Sequence, residues 1–268
     1  MLAMMDLCIR QSVDIAIPLV DEESALFKAA NPSKVLTPTE TFIRACLDKR
    51  ELMRVLGGIG VTVPRTYNRT KTIDDTAPFD LLYPWVIKPR TGRGSRGVAI
   101  IRSRQEGLAH AETAGYLDAL IIQEYIDGPE YTVSVVCDQR NTVHAVVPKE
   151  IIDKRGSTRL AVTRRNKAID QVCRDIAEKL NPCGPFNVQL RMRDGVPYVF
   201  EINPRFSGTV NLTIAAGCDE VGGLIELALG RPYTFGEWRE GVVLVRQTHD
   251  GIMSEADFKE RAPKGWNA

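Results

Sequence analysis

Three stretches of this chain combine residue types that could handle a polyphosphate and a divalent cation. The first, Lys88-Pro-Arg-Thr-Gly-Arg-Gly-Ser-Arg-Gly97, carries three glycines and four cations with no acid. Glycines let backbone N–H groups turn toward an anion at close range, and the interspersed cations neutralise it. A basic hairpin tip accounts for the same residues equally well. No Gly-Lys-Ser/Thr closes the loop and it opens no helix, so it is neither a Walker loop nor a dinucleotide fingerprint. The second stretch sets Asn187-Val-Gln189 against Glu201-Ile-Asn203-Pro-Arg205. Strand side chains alternate, so Asn187 shares a face with Gln189, and Glu201 shares one with Asn203. A hairpin joining the two gathers hard oxygen ligands of the kind Mg²⁺ takes beside substrate phosphates, with Arg205 as a forked phosphate donor. A polar sheet face with Arg205 paired to Glu201 is the plain alternative. The third, Gln123-Glu-Tyr-Ile-Asp-Gly-Pro-Glu-Tyr131, is a strand, a turn and a strand; it could present backbone and carboxylate to a nucleoside, and alone it is only a β-turn.

These residues need a framework, and the hydrophobic pattern supplies one. Val13 to Leu19 reads as a buried strand feeding a helix through Ala30, and a second unit follows with a short strand at Lys34 to Leu36 and a helix from Thr39 toward Leu56. Beyond Trp85 the texture is β. Strands are expected at Trp85–Lys88, Val98–Ile101 and Leu120–Tyr125, with a helix around Ser103 to Gly115. Hairpin pairs follow at Tyr131–Cys137 with Thr142–Val147 and at Phe186–Met192 with Pro197–Ile202. Between them, Ala168, Val172, Ile176 and Leu180 mark one stripe of a helix over Lys167 to Leu180.

Composition narrows the function classes. In 268 residues, 35 Lys+Arg balance 34 Asp+Glu, 44% are hydrophobic and 26% charged, as in an ordinary globular protein. Net charge gives no support to bulk nucleic-acid binding. The longest uncharged stretch, Phe206 to Cys218, is far short of the ~20 apolar residues of a membrane span. The N-terminus lacks the basic and apolar parts of a secretory signal, so the chain reads as cytoplasmic. Its six cysteines include no CxxC pair and read as small buried hydrophobes.

Taken in order, the basic glycine loop, QEYIDGPEYTV about thirty residues later and NVQL…YVFEINPRFSGT resemble the ATP-grasp superfamily, in particular members like the carbamoyl-phosphate synthetase large subunit, over roughly Val13 to Gly230. The resemblance implies an α/β fold built of two α+β lobes with a nucleotide between them. It implies that Lys49 approaches the phosphates from the first lobe and that Lys88 holds the α- and β-phosphates from the second. Thr91 to Gly97, including Gly92, Gly94 and Ser95, would form the lid. Gln123 to Ile126 would be the hinge against adenine, with Glu124 accepting from its amino group, backbone at Tyr125 and Ile126, and Glu130 on the ribose. Gln189, Glu201 and Asn203 match metal-holding positions, and Asn187 and Arg205 match groups near the transferred phosphoryl. The implied reaction activates a carboxylate as an acylphosphate with ATP and Mg²⁺, or Mn²⁺ in its place, and passes it to an amine; a nucleotide-binding partner subunit without an acceptor site is the alternative.

Relatives of this kind carry a fuller region before the Asp-Lys helix, so residues 1–67 are expected as a shortened pre-grasp βα region, 68–127 as the small lid lobe and 128–268 as the large lobe with the metal site and tail. An exposed N-terminal sheet edge would favour a homodimer or a partner chain. The six cations from Lys154 to Lys167 read either as a substrate-facing stretch, through Arg155 or Arg164, or as a solvated loop. His110, His144 and His249 read as structural, and a last strand is expected near Val242 to Val245.

Overall fold

The computed structural model describes residues 6–8, 10–30, 35–68, 82–92, 94, 96–114, 120–247, 252–255, 257 and 260. The N-terminal part of the chain includes the helices α1 (Asp21–Ala30), α2 (Glu40–Leu47) and α3 (Lys49–Gly58). The single helix expected from Thr39 to Leu56 is broken at Asp48, whose extended backbone ends α2 while its carboxylate accepts from the N–H groups of Arg50 and Glu51 to cap α3. A short acidic side chain that satisfies orphan donors starts a new helix at little cost. The strand expected over Val13 to Leu19 is reduced to a parallel bridge between Ala16 and Val35. Pro18 has no N–H to extend such a ladder, so the N-terminal sheet edge foreseen for a partner is this bridge alone among the described residues.

The next segment builds a four-stranded antiparallel sheet from β1 (Thr66–Asn68), β2 (Trp85–Pro89), β3 (Ala99–Ile101) and β4 (Leu120–Glu124), in the order β1-β4-β2-β3, with α4 (Arg104–Ala114) before its last strand. Trp85, Ile87, Ile101, Leu120 and Ile122 form its buried core. Val86 and Lys88, at alternate positions of β2, therefore face the other way.

A six-stranded antiparallel sheet follows: β5 (Glu130–Cys137), β6 (Val143–Arg155), β7 (Ser157–Thr163), β8 (Phe186–Arg193), β9 (Val196–Asn203) and β10 (Val243–Val245), in the order β10-β7-β6-β5-β8-β9. α5 (Lys167–Leu180) starts at Asn166, whose side chain accepts from Ala168 and Ile169 N–H, and ends at Asn181 in the left-handed region. One face of the sheet, with Val133, Val135, Val188, Leu190 and Ile202, packs on α2, α3 and α5 in the main core. The other face is polar toward β9. Its far end is closed by α6 (Val210–Ala216) and α7 (Glu220–Ala228), over a second core with Val136, Val147, Phe206 and Leu224.

β7 contradicts the reading of 154–167 as a solvated loop. Thr158, Leu160 and Val162 alternate with Arg159 and Ala161, and the strand pairs with both β6 and β10. The cysteines are all free, with Cys46, Cys137, Cys173 and Cys218 buried and Cys8 and Cys183 half-buried. His110 lies on α4, and His144 Nε2 lies 3.0 Å from Asp138 Oδ2 in the β5–β6 hairpin; His249 falls outside the described residues.

Candidate active site

The two sheets face one another across a cavity of about 310 Å³, and the three stretches singled out by chemistry meet there. Lys49, Lys88, Thr91, Gly92, Gly94, Gln123, Glu124, Tyr125, Ile126, Glu130, Gln189 and Glu201 all line it. Gly97, Asn187, Asn203 and Arg205 are not among the lining residues, and Ser95 lies outside the described residues.

Local chemistry explains the convergence. Asp48 caps α3 and also accepts from Arg90 Nε and Nη2 at 2.8 and 2.5 Å, which ties the start of that helix to the glycine loop. Lys49, the next residue, then places Nζ 2.7 Å from Gly92 O. Gly92, Gly94 and Gly97 all have positive φ, a backbone that other L-residues rarely adopt, so the loop's shape depends on its glycines. Lys88 reaches down from β2, and its Nζ donates to Phe200 O at 3.2 Å and lies 5.3 Å from the Phe200 ring centroid. Burial pushes the Lys88 ammonium down to about 8, helped by Lys49 and Lys154 and opposed by Glu201 and Glu130. One carbonyl satisfies one of its three donors.

Register pairing sets the oxygen ligands. Gln189 lies opposite Glu201 and Asn187 opposite Asn203 on β8 and β9, with a bulge after Gln189 that shifts the register. Gln189 and Glu201 point into the cavity. Among the described residues no protein group donates to the Glu201 carboxylate. Asn187 and Asn203 stand one step deeper, buried at 2% and 5% exposure. Thr132 Oγ1 donates to Asn187 Oδ1 at 2.7 Å, and the Asn203 side-chain N–H group is buried without a partner among the described residues.

Arg205 is paired to a residue outside the three stretches. Asp21, at the start of α1, accepts from Arg205 Nη2 at 3.3 Å, and Arg205 Nε lies 2.9 Å from Asp21 Oδ1 off the hydrogen-bond axis, an electrostatic contact. Arg205 also donates to Asn203 Oδ1 at 3.4 Å. Burial raises the Asp21 carboxyl above its ordinary value despite Arg205, and nearby Glu201 adds to the rise. The guanidinium expected at a phosphoryl group is thus already neutralised, and its partner is Asp21, not the Glu201 weighed from sequence.

At the hinge, two assigned acceptors are engaged as well. Glu124 accepts from Arg193 Nη1 at 2.8 Å and from Arg65 N–H at 3.2 Å; burial alone would raise it, but these two arginines hold it below the usual range. Glu130 accepts from Lys154 Nζ at 2.9 Å and Arg191 Nη2 at 3.0 Å, and these cations more than offset its burial. Gln123 donates to Thr66 Oγ1 at 2.8 Å. Lys154, Arg96 and Arg191 also line the cavity, so it carries five cations to three carboxylates and suits an anion. Arg191 was readable in principle, because it continues the Asn187, Gln189 alternation on β8. Asp21 had no such signal.

Comparison with known proteins now places the chain. A family model described as an ATP-grasp domain matches residues 46–209. The chain belongs to the ATP-grasp family. It is 26% identical over 220 residues to the carbamoyl phosphate synthase large chain of Caldanaerobacter subterraneus, covering 75% of this chain and 20% of that one. The biotin carboxylase domain dimer of Hydrogenobacter thermophilus 2-oxoglutarate carboxylase, solved with MgADP and bicarbonate, superposes with a TM-score of 0.73 at 17% identity, over 90% of this chain and 59% of that one. D-alanine–D-alanine ligase from Bacillus anthracis, complexed with ATP, gives 0.61 at 21% identity, over 81% and 80%. At such identities the structural likeness shows the fold alone. Of two sequence relatives' own lengths, the chain spans 51% and 20%.

Proposed function

We propose that this protein is an ATP-dependent, ADP-forming carboxylate–amine ligase. The observation that carries the reading is the meeting, in one cavity, of a Glu201 carboxylate to which no group among the described residues donates and a buried Lys88 ammonium that has donors to spare. Lys49 and Lys88 hold the triphosphate, residues 91–97 close over it, and 123–126 meet the adenine. Gln189, Glu201 and Asn203 hold Mg²⁺, or Mn²⁺. This donor set fits the ion: it is all oxygen with one carboxylate, Gln189 and Glu201 line the cavity and Asn203 stands one step deeper, and substrate phosphates would supply the remaining oxygens. When bound, the ion neutralises charge on the phosphate oxygens.

In the reaction, a substrate carboxylate oxygen attacks the γ-phosphorus, the bond to the β-phosphate oxygen breaks and ADP leaves. The amine nitrogen then attacks the acyl carbon of the acylphosphate, inorganic phosphate departs and the nitrogen loses a proton. Asn187 and Arg205 stabilise the transferred phosphoryl, Arg205 while still paired to Asp21. Acylphosphates hydrolyse readily, which gives a closing loop its purpose. The lobes follow the divisions 1–67, 68–127 and 128–268 except at the first boundary, which falls before Thr66, where β1 joins the small sheet. A cytoplasmic location accords with this chemistry, and no helix among the described residues is long and apolar enough to cross a membrane.

The test is ADP release with Mg-ATP and pools of carboxylates and amines. Substrate-dependent release is expected from the native protein and its loss from Glu201→Ala, with an unchanged melting temperature; unchanged release by that variant would remove Glu201 from the metal set. The second reading, a nucleotide-binding subunit without ligase activity, draws on one observation: Asp21 and Thr132 already occupy Arg205 and Asn187. Tight Mg-ATP binding with no turnover under any pool would favour it.

A further inference from the structure

We propose that Arg191 is the floor on which the nucleobase stacks, so that base recognition in this protein runs through the face of a guanidinium. The inference rests on the nucleotide reading above and adds a residue that the phosphate and metal chemistry leaves without a role.

Arg191 lies on β8 two residues beyond Gln189, on the face that lines the cavity. Its edge is occupied. Nη2 donates to Glu130 Oε2 at 3.0 Å, and Nη1 lies 3.2 Å from Gly128 O, 3.3 Å from the Tyr125 hydroxyl and 3.5 Å from Ile126 O. A guanidinium makes hydrogen bonds only in its plane. With its terminal nitrogens committed to the hinge and to Glu130, and one face turned to the Tyr125 ring, whose centroid lies 5.2 Å from its Cζ, what it can offer a ligand is its other face. Flat cations of this kind stack on aromatic rings and are more weakly hydrated than an ammonium.

The surroundings fix that face in place. Gly128 has φ +140°, and a Cβ there would come within 1.8 Å of Met192 O, so the hinge turn is pressed against β8 at the residue after Arg191. Glu130, opposite Arg191 in the register, is gripped from its other oxygen by Lys154 of the β6–β7 hairpin. The Lys154, Glu130, Arg191 chain thus spans three neighbouring strands and holds the guanidinium against the sheet. Across the cavity, Val86 and Ile100 are opposite one another on β2 and β3 and present aliphatic surface from the small sheet. An aliphatic roof over a cationic floor is a slot for a planar, electron-rich ring, and the neighbouring Lys88 and Lys49 mark where its phosphates run. Stacking needs no pairing code, so this floor contributes affinity for purines generally and leaves discrimination to the hinge backbone.

Titration calorimetry with two probes, Mg-ATP and Mg-ribose 5′-triphosphate, isolates the base, because both share ribose and phosphates. The native protein is expected to bind ATP the more tightly. In Arg191→Ala and Arg191→Lys that preference falls about tenfold, while ribose 5′-triphosphate affinity changes little in the lysine variant, which keeps a cation beside Glu130. A purely structural role for Arg191 would lower both affinities together, and an unchanged preference in both folded variants overturns the stacking assignment. Failure of the native protein to bind either probe would overturn the nucleotide reading itself, a result distinct from the first.

Discussion

Two lysines in this protein are held at about 8 by the same cause and do different things. Lys88 and Lys149 are 4% and 0% exposed, and burial drives both down from the usual 10.5. Lys149 Nζ donates to Ser134 Oγ at 2.7 Å and Thr213 Oγ1 at 2.9 Å, and Ser134 Oγ in turn donates to Glu220 Oε1 at 2.8 Å. Two of its three donors are used and its counter-charge is sealed in with it; burial raises the Glu220 carboxyl in turn. Among the described residues Lys88 has a single carbonyl; it sits near two other cations and opens on a cavity with Glu201 beyond. A depressed lysine is therefore no mark of a site by itself. What separates the two is the ratio of acceptors to donors and the space in front of them, since a buried cation short of acceptors is poised for an anion from outside.

The comparison breaks most visibly on the sealed side. Lys149→Met leaves Glu220 buried without its cation, and is expected to lower stability by about 3–5 kcal/mol in urea unfolding. Lys149→Met combined with Glu220→Gln should recover much of that loss, because the uncompensated charge is gone. Mg-ATP affinity of whatever remains folded should be native; a weakened affinity would mean that the network reaches the cavity. The open side gives the next largest effect. Lys88→Met removes a charge-assisted hydrogen bond to phosphate and should weaken Mg-ATP binding about 10- to 100-fold in calorimetry. Its melting temperature should hold or rise, since a poorly satisfied buried cation is removed. If Lys88→Met unfolds the protein as Lys149→Met does, the two lysines are alike and the distinction fails.

The sequence carried the site better than it carried the site's neighbours. Gln189 with Glu201 and Asn187 with Asn203 were legible because a tight hairpin turns two-residue alternation into facing pairs, which the register bears out. The glycine loop by itself read equally well as a basic hairpin tip, and only its order with the other two stretches pointed to the cavity that it lines. β7 was hidden by its flanks: the charges around Ser157 and Arg164 resemble a solvated loop until β6 and β10 pair on either side. Asp21 could not be read from the chain, because only the fold brings α1 to Arg205. The pairing of Glu124 with Arg65 and Arg193 was equally invisible, since its partners come from separate segments and compete with the adenine role that the family resemblance implies. Local patterns named the candidate groups; the groups that pair with them in the protein are tertiary.

The finest test of the two lysines is the pH dependence, where stability and affinity move in opposite directions. Each folded-state value lies near 8 against 10.5 for an ordinary lysine, so between those limits the unfolded chain binds more protons than the folded one. Stability therefore rises with pH across that window as the cost of burying the charges is relieved, and both lysines contribute to the rise. Only Lys88 should carry the affinity. Mg-ATP binding weakens as pH climbs through about 8, by roughly twofold between pH 7 and 8 and more steeply above, because a neutral amine no longer pairs with phosphate. Bound triphosphate draws the proton back, so calorimetry in buffers of different ionisation enthalpy should show proton uptake near pH 8. Relative to native protein, that uptake disappears in Lys88→Met and persists in Lys149→Met at temperatures where it is folded. Uptake that survives the loss of Lys88, or vanishes with Lys149, would reverse their roles.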